Sequence, residues 1–240
     1  MTIALLTAAG SGTRMGLDIP KQFLHVEQKP LIVYTMEAFQ RHPSIDAILC
    51  VTIPSWMEVV KDYARQYGIT KLRWVVPGGA TGQESIHNGL MKIKEEGLED
   101  PVVMIHDGNR CLVSMEIISD SLATFAEHGS AVAAIPCVEA VFYSDNNGES
   151  STNSIPREML FRTQTPHTYR LSKLLWAHEE AAKHNITNTA ASCTLMHALG
   201  ETVYFSRGSE TNIKITTQDD LYIFNALLHS SDAEWKTHVR

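Results

Sequence analysis

The sequence predicts an α/β protein in which helices flank a mainly parallel sheet. Short apolar runs alternate with segments of helical periodicity over the first two thirds of the 240 residues, which is the pattern of a parallel sheet covered by helices. The runs are apolar on both faces, as expected for strands that are buried on both sides. No linker is long enough to separate two domains. We therefore expect a single domain over residues 1–240.

Five buried strands follow from these apolar runs. Each run is short, and helical or turn-forming sequence lies on either side of it. Together the runs predict the first five strands of the sheet. The expected strands cover residues 3–8, 47–53, 72–76, 102–106 and 130–135.

Helices are expected between the strands, and several carry start or stop signals. Pro30 would occupy the first turn of the first helix. Ser55 and Glu58 have the spacing of a capping box, which would begin the second helix. Gly97 would end a third helix. Two later helices are expected near residues 171–184 and 219–228.

Residues 137–162 interrupt this alternation, because they are largely polar and contain little that could form a core. We expect a projecting β-arm in which residues 138–143 and 158–162 pair as a hairpin. Such an arm usually contacts another subunit or covers a site, so we expect a homodimer formed through it. A solvated loop is the alternative that composition leaves open.

Composition excludes several classes of function. Twenty Lys and Arg against 27 Asp and Glu give a net charge of -7, which disfavours nucleic-acid and anionic-membrane partners. No apolar run approaches the roughly 18 residues of a membrane helix, and no basic region precedes an apolar stretch at the N-terminus. The cysteines are widely spaced without C-x-x-C, so neither zinc nor disulfides are indicated. We expect a cytoplasmic protein.

The loop after the first strand carries the most informative motif. Gly10 and Gly12 allow the backbone to approach a phosphate closely, and Arg14 and Lys21 would neutralise its charge. The spacing differs from both G-x-G-x-x-G and G-x-x-x-x-G-K-[ST]. An ordinary glycine turn would explain the glycines but not the cations. The full pattern is Ala8-Ala9-Gly10-x-Gly12-x-Arg14-Met15 followed by Pro20-Lys21-Gln22.

This pattern resembles the signature loop of nucleotidyltransferases that make sugar and polyol nucleotides. Later motifs follow the order seen in the methylerythritol-phosphate and ribitol-phosphate cytidylyltransferases. The resemblance spans about residues 3–221 and implies a Rossmann-like, glycosyltransferase-A-like fold. The later motifs are Gly78-Gly79 with Ser85, His106-Asp107-x-x-Arg110, Gln164-Thr165-Pro166, and Asn212-Ile213-Lys214-Ile215-Thr216 with Asp220.

The resemblance implies that CMP is transferred from CTP to a polyol phosphate, either 2-C-methyl-D-erythritol 4-phosphate or ribitol 5-phosphate, with release of pyrophosphate. The acceptor phosphate is already anionic, so the reaction needs charge stabilisation rather than a general base. Arg14, Lys21 and Lys214 would be the catalytic cations. The substrate-binding positions implied are Ala8, Ala9, Gly10, Gly12, Gly78, Gly79, Ser85, Asp107, Arg110 and Arg157.

Asp107 is the expected ligand for Mg²⁺. It follows a strand at the edge where open α/β sheets bind ligands, and one carboxylate suffices when phosphates and water complete the shell. A helix N-cap or a salt bridge to Arg110 is the alternative. Ser85 could equally be a helix cap. Arg157 would reach the acceptor phosphate of the neighbouring subunit, with a solvated surface arginine as the alternative.

Four departures from the family pattern fall mostly in the acceptor half of the implied site. Nucleotide contacts are largely spared, although Gly82 could weaken them. We therefore expect a changed acceptor, and a non-catalytic CTP-binding homologue is the alternative. The departures are Gly82 for an arginine, Cys111 for a proline, Glu139-Ala140 for Asp-Thr, and Ala190-Ala191 for Thr-Asp.

A short-chain dehydrogenase is the alternative from another enzyme class, because Tyr169-x-x-x-Lys173 has the spacing of its catalytic Tyr and Lys. That chemistry also needs a serine about 13 residues earlier, where Pro156 stands. The required glycine loop is missing as well. The simpler interpretation is that Tyr169 and Lys173 begin a helix.

Overall fold

The computed structural model of the protein describes residues 1–10 and 19–230. Within these residues seven of the strands form one central sheet, in the order β11-β7-β10-β6-β1-β4-β5. Two small two-stranded sheets, β2-β3 and β8-β9, lie outside it. The strands are β1 (Thr2–Ala8), β2 (His25–Val26), β3 (Lys29–Pro30), β4 (Ala47–Thr52), β5 (Leu72–Pro77), β6 (Val102–Asp107), β7 (Ser130–Pro136), β8 (Val141–Tyr143), β9 (Asn153–Ile155), β10 (Phe161–Arg170) and β11 (Phe205–Arg207).

Helices cover both faces of this sheet. None of the helices in the described part of the chain is long and apolar enough to cross a membrane. The helices are α1 (Leu31–Arg41), α2 (Met57–Gln66), α3 (Gly82–Glu95), α4 (Met115–His128), α5 (Leu171–Lys183), α6 (Ser192–Ala198) and α7 (Gln218–His229).

The predicted fold class is confirmed, and the five predicted strands are β1, β4, β5, β6 and β7. Strand β1 pairs in parallel with β4 on one side and β6 on the other. Alternate β1 residues enter two different cores. Leu6 packs with residues of α1 and α2, whereas Leu5 packs with residues of α3 and α5. Burial on both faces explains why the run is apolar throughout.

Strand β10 was not predicted. It lies between β6 and β7 and runs antiparallel to both, although its sequence FRTQTPHTYR contains few apolar residues. The predicted pairing of residues 138–143 with 158–162 is therefore wrong. Val141 of β8 instead faces Ile155 of β9. A central strand can be this polar because its side chains make hydrogen bonds within the protein.

Several predicted helix starts differ from the structure. Pro30 is the residue before α1 rather than part of its first turn. Ser55 lies in a short 3-10 turn, so α2 begins only at Met57 and the predicted capping box is wrong. Tyr169 is in β10, and α5 begins after it. Gly97 follows α3 with a φ of +66°, which confirms the predicted stop signal.

Candidate active site

A cleft of about 740 Å³ opens at the carboxyl edge of the parallel strands. It lies where the chain order of the sheet reverses, because β4 and β6 flank β1 on opposite sides. Open α/β sheets bind ligands at such a switch point, since the loops leave the two central strands in opposite directions. The starts of α3 and α6 form the sides of the cleft.

The end of β1 forms one wall. Ala8, Ala9 and Gly10 line the cleft. The buried Gln22 donates from Nε2 to the carbonyl oxygens of Ala8 at 2.6 Å and Gly10 at 3.1 Å. These two bonds tie the short turn that contains Lys21 to the end of the strand, and Lys21 also lines the cleft.

Gly12 and Arg14 lie outside the described residues. Their predicted contacts with phosphate therefore remain predictions. Gly10, which precedes these residues in the sequence, and Lys21, which follows them, both line the cleft.

Gly78 and Gly79 have different positions. A Cβ at Gly78 would overlap the Cβ of Ala9, so Gly78 packs behind the β1 wall and is not among the cleft-lining residues. Gly79 does line the cleft, and its N–H donates to Ser85 Oγ at 3.1 Å. The cap of α3 is Thr81, which accepts from the N–H of Glu84. The capping alternative for Ser85 is therefore wrong.

Asp107 lies at the centre of an ionic cluster. Its Oδ2 is 3.1 Å from Arg110 Nε and 3.0 Å from Lys214 Nζ. Burial raises the pKa of this carboxyl group, but the charges of Lys214 and Arg110 outweigh burial and lower the pKa to about 2. The salt bridge to Arg110 is present, whereas the N-cap alternative is wrong because Ser114 caps α4.

Hydrogen bonds on both sides hold Lys214 in this position. Asn212 is fully buried and donates from Nδ2 to the carbonyl oxygen of Thr165 at 2.9 Å. Arg110 Nη1 donates to the carbonyl oxygen of Asn212 at 2.7 Å. Beyond Lys214, the Asp220 carboxylate accepts the N–H of Thr216 at 2.7 Å. Lys21 and Lys214, from distant parts of the chain, both line the cleft. Their catalytic roles remain predictions.

Thr165 has a contact that its motif alone did not specify. Its Oγ1 accepts the backbone N–H of Asp107 at 3.0 Å. This bond joins β10 to the end of β6 at the ionic cluster. The motif Gln164-Thr165-Pro166 was the only signal in the sequence for this contact.

Two of the four departures from the family pattern, Gly82 and Ala190-Ala191, meet in the cleft. Gly82 begins α3, and a Cβ added there would meet nothing within 4 Å. Ala190 and Ala191 line the facing wall. Between these positions, Gln83 Oε1 accepts hydrogen bonds from Thr189 N at 3.0 Å and Thr189 Oγ1 at 3.2 Å. A neutral bridge thus joins the two altered walls.

Arg157 lies in the arm and is not among the residues that line the cleft. Its side chain is 58% exposed, and its Nη1 donates to the carbonyl oxygen of Val138 at 2.9 Å. Arg157 therefore does not act on its own chain's cleft in this conformation. A role toward a neighbouring subunit remains a prediction.

The dehydrogenase alternative is not supported. Tyr169 pairs with Val103, near the amino end of β6 and away from the cleft. It is 2% exposed. Lys173 Nζ lies 2.7 Å from Glu201. Neither residue of the Tyr/Lys pair lines the cleft.

The described cleft residues fit a magnesium site in which Asp107 is the one protein carboxylate. No cluster of three or more His, Cys, Asp or Glu side chains that could hold a metal occurs in residues 1–10 and 19–230. Asp107 provides one carboxylate at the cleft wall. Magnesium needs only one or two carboxylates when nucleotide phosphates and water complete its shell. The donor set thus suits an ion that arrives with a nucleotide.

Comparison with known proteins decides the family. The sequence model of the 2-C-methyl-D-erythritol 4-phosphate cytidylyltransferase (IspD) family matches residues 2–230. The chain belongs to this family. The predicted resemblance is confirmed over nearly the whole chain, and the enzyme class of the family is nucleotidyltransferase.

Curated members of the family differ in the acceptor that their names give. A ribitol-5-phosphate cytidylyltransferase of Lacticaseibacillus paracasei is 41% identical over 97% of this chain and 100% of the relative. One from Vibrio parahaemolyticus is 39% identical over 97% and 98%. A 2-C-methyl-D-erythritol 4-phosphate cytidylyltransferase of Clostridium botulinum is 36% identical over 93% and 96%.

Solved structures show the same fold. A 4-diphosphocytidyl-2C-methyl-D-erythritol synthase of Anaerococcus prevotii superposes with a TM-score of 0.80 at 24% identity, covering 95% of each chain. The 2-C-methyl-D-erythritol 4-phosphate cytidylyltransferase of Thermus thermophilus gives 0.74 at 28% identity, covering 95% of this chain and 98% of the other. The α/β nucleotidyltransferase architecture is therefore shared.

Proposed function

We propose that this cytidylyltransferase transfers CMP from CTP to a polyol phosphate and releases pyrophosphate. The observation that carries the proposal is the meeting of Lys21, Arg110 and Lys214 in one cleft of the cytidylyltransferase fold. These cations come from the beginning, middle and end of the described chain. A site that joins two polyanions needs such convergent positive charge.

In the proposed reaction, an oxygen of the acceptor phosphate attacks the α-phosphorus of CTP. A new P–O bond forms, and the bond from the α-phosphorus to the bridging oxygen breaks. Pyrophosphate leaves with that electron pair, and no proton has to be removed. Lys21 and Lys214 would stabilise the charge on the transferring group, with Arg14 as a third cation. At an effective dielectric of about 20, a cation about 4 Å from a phosphate charge contributes roughly 4 kcal/mol before desolvation.

Asp107 would have two tasks. It orients Lys214 through the 3.0 Å ion pair, and together with the nucleotide phosphates it would hold Mg²⁺. The ion would supply further positive charge to the triphosphate. Because the pKa of Asp107 is lowered to about 2, the carboxylate is available in its charged form at neutral pH.

Ribitol 5-phosphate is the acceptor we propose first. The relatives named for it reach 41% and 39% identity, against 36% for a relative named for 2-C-methyl-D-erythritol 4-phosphate. The altered residues Ala190 and Ala191 lie in the cleft, where a different polyol would make different contacts. Turnover should therefore be measured with both polyol phosphates as acceptors.

We also propose a homodimer formed through the arm of residues 137–162. The arm exposes apolar side chains whose burial would favour association. Its hairpin would bring Arg157 to the cleft of the other subunit, where it could hold the acceptor phosphate. Sedimentation velocity tests this directly, and a monomer at micromolar concentration would contradict it. The exposed apolar residues are Val138 (56%), Phe142 (59%), Tyr143 (59%) and Met159 (78%).

The deciding experiment measures pyrophosphate release from CTP and Mg²⁺ with ribitol 5-phosphate, 2-C-methyl-D-erythritol 4-phosphate or glycerol 3-phosphate. We expect turnover with at least one of them. Binding of CTP without turnover on any acceptor would instead favour a regulatory, non-catalytic homologue. Omission of Mg²⁺ should abolish turnover in the same assay.

A further inference from the structure

Lys214 lies in a segment of the chain that has neither helix nor strand. Residues 213–216 follow no regular structure, so no helical or sheet pattern of backbone hydrogen bonds fixes them. A lysine side chain is long and flexible, and its charge is placed accurately only if the backbone that carries it is held. The residues that hold this segment therefore bear on the proposed reaction.

Asn109, in the loop after β6, makes two hydrogen bonds with the residue that follows Lys214. Its Nδ2 donates to the carbonyl oxygen of Ile215. Its own carbonyl oxygen accepts the N–H of Ile215 at 3.0 Å. Both polar backbone groups of Ile215 are thus bonded to one residue that is distant in the sequence.

Burial makes these two bonds important for the direction of the backbone. Asn109 is 5% exposed, and Ile215 is fully buried. The side chain of Ile215 packs in a small apolar cluster with Leu31, Cys111 and Phe224. Apolar packing is not directional, so it fixes where the isoleucine lies but not how its peptide groups point. The hydrogen bonds to Asn109 supply that direction.

The loop after β6 contacts the Lys214 segment at three points. Asp107 pairs with the Lys214 side chain, and Arg110 donates to the carbonyl oxygen of Asn212, two residues before Lys214. Asn109 bonds to the residue after it. Loss of the Asn109 side chain would therefore loosen the segment on one side of Lys214 and leave the ionic contacts present.

A direct contact with substrate is the alternative role, because Asn109 lines the cleft. An asparagine amide has two N–H donors and one acceptor, and Ile215 takes one of the donors. The two roles predict different kinetics. A residue that positions Lys214 affects the rate only while Lys214 is present, whereas a contact with substrate would contribute without it.

We propose that Asn109 is a positioning residue, which places the Lys214 ammonium group by holding the backbone of Ile215. This inference rests on the proposed function, in which Lys214 stabilises charge on the transferring group. Asn109 occupies an unspecified position of the motif His106-Asp107-x-x-Arg110, so the motif did not point to it.

The test compares Asn109→Ala with Asn88→Ala in the assay of pyrophosphate release. Asn88 also donates from Nδ2 to a backbone carbonyl, that of Pro77, at 3.2 Å, but it lies on α3 and does not line the cleft. We expect Asn109→Ala to lower kcat about tenfold and to change the KM for CTP less than about twofold, because a misplaced cation costs rate more than binding. Asn88→Ala should change neither constant.

A double-mutant cycle with Lys214→Ala separates positioning from contact. If Asn109 acts through Lys214, adding Asn109→Ala to Lys214→Ala should lower kcat by less than about a further twofold. A further loss as large as in the single variant would overturn the inference, and so would an unchanged kcat in Asn109→Ala. Asn109→Asp keeps the size of the side chain but lacks Nδ2, and it replaces Asn109→Ala in the cycle if thermal melting shows that the alanine variant does not fold.

The two proposals can fail separately. If the wild type released no pyrophosphate with any polyol phosphate, the proposed function would be wrong. Amide hydrogen exchange at Ile215, followed by NMR, tests the role of Asn109 without turnover. We expect this amide to exchange about fivefold faster in Asn109→Ala, the scale for the loss of one neutral hydrogen bond, and at the wild-type rate in Asn88→Ala. Equal exchange in all three proteins would contradict the inference.

Discussion

The two sides of the cleft are built in different ways. The β1 wall, which comprises Ala8, Ala9, Gly10, Gly79 and Ser85, is shaped mainly by backbone and close packing. The β10 wall, which comprises Thr165, His167, Ala190, Ala191 and Ser192, presents mainly side chains to the cleft. The Asp107 cluster lies between them.

This difference bears on where the family pattern has changed. A side chain at position 78 would overlap Ala9, so the β1 wall tolerates few substitutions. On the β10 wall, alanines at 190 and 191 are accommodated while the Gln83 and Thr189 bridge keeps the walls joined. A wall made of side chains can change the ligand it accepts at little cost to the fold.

The largest effect on kcat is expected for Lys214, the cation that pairs with Asp107 between the two walls. We expect Lys214→Ala to lower kcat at least 100-fold, because the transition state loses a charge worth roughly 4 kcal/mol before desolvation. The variant should still fold, because Asp107 keeps its ion pair with Arg110, but its melting temperature should fall since the carboxylate loses one of its two cations. The assay is pyrophosphate release, accompanied by thermal melting.

Lys183→Ala is the control for charge removal. Lys183 is 67% exposed and pairs with Glu180 on α5. Its removal changes the net charge equally but should leave kcat unaltered. Comparable losses in both variants would show that net charge, and not position in the cleft, governs the rate.

A mixed dimer tests whether the β10 wall is completed by another subunit. Arg157→Ala and Lys214→Ala should each be poorly active alone. In a heterodimer of the two variants, one site combines the intact Lys214 of one subunit with the intact Arg157 of the other. We expect such heterodimers to recover about half of the wild-type activity, because one of two sites is whole.

The control mixes each variant with itself under the same unfolding and refolding protocol, which should restore nothing. Absence of recovery in the verified heterodimer would mean that each cleft is built within one chain. Arg157 would then be the solvated surface arginine that the sequence left open as an alternative.

Low pH should remove the stabilisation that the ionised Asp107 side chain gives to the fold. The pKa of Asp107 is about 2 in the folded protein against an ordinary value of 3.8, so its ionisation stabilises the fold above about pH 4. This contribution, of about 2 kcal/mol, is lost as the pH falls from about 4 to 2. Urea unfolding of the wild type and Asp107→Asn should therefore give a difference in free energy that shrinks over this interval.

In Asp107→Asn, Arg110 and Lys214 lose the carboxylate with which both form ion pairs. Asp62→Asn is a suitable control, because Asp62 is 61% exposed and pairs only on the helix surface with Arg65 among the described residues. This variant measures what the loss of an exposed carboxylate does to the free energy of unfolding. A difference between Asp107→Asn and the wild type that does not change with pH would contradict the depressed pKa of Asp107.

The sequence predicted the β1 wall better than the β10 wall, for a physical reason. Buried parallel strands are apolar runs, and glycines and cations in one loop form a local pattern. Lys214 was placed correctly only because the resemblance linked motifs from distant parts of the chain. Composition and periodicity alone would not have joined it to Lys21.

The strand of the β10 wall escaped prediction because its signals are not local. Residues 161–170 form a central strand whose polar side chains find partners on other elements, such as the bond from Asp107 N–H to Thr165 Oγ1. A polar run of this kind is typical of a loop when it is read alone. Ser192 gave no signal of its own, since only the packed structure shows that its hydroxyl lies at the cleft without a hydrogen-bond partner among the described residues.

The smallest expected effect concerns Gly82, where the two walls meet. A side chain at this position enters open space at the first residue of α3, so Gly82→Arg should fold normally. The added cation should lower the KM for CTP about threefold to tenfold through attraction to the triphosphate, the scale of a partly solvated charge contact. Steady-state kinetics with CTP varied at saturating acceptor measure this change.

Gly82→Ala separates the backbone effect from the charge and should leave the KM for CTP unaltered. If Gly82→Arg instead changed only the KM for the acceptor, position 82 would contact the acceptor and not CTP. It would then belong to the β10 wall, together with Ala190 and Ala191.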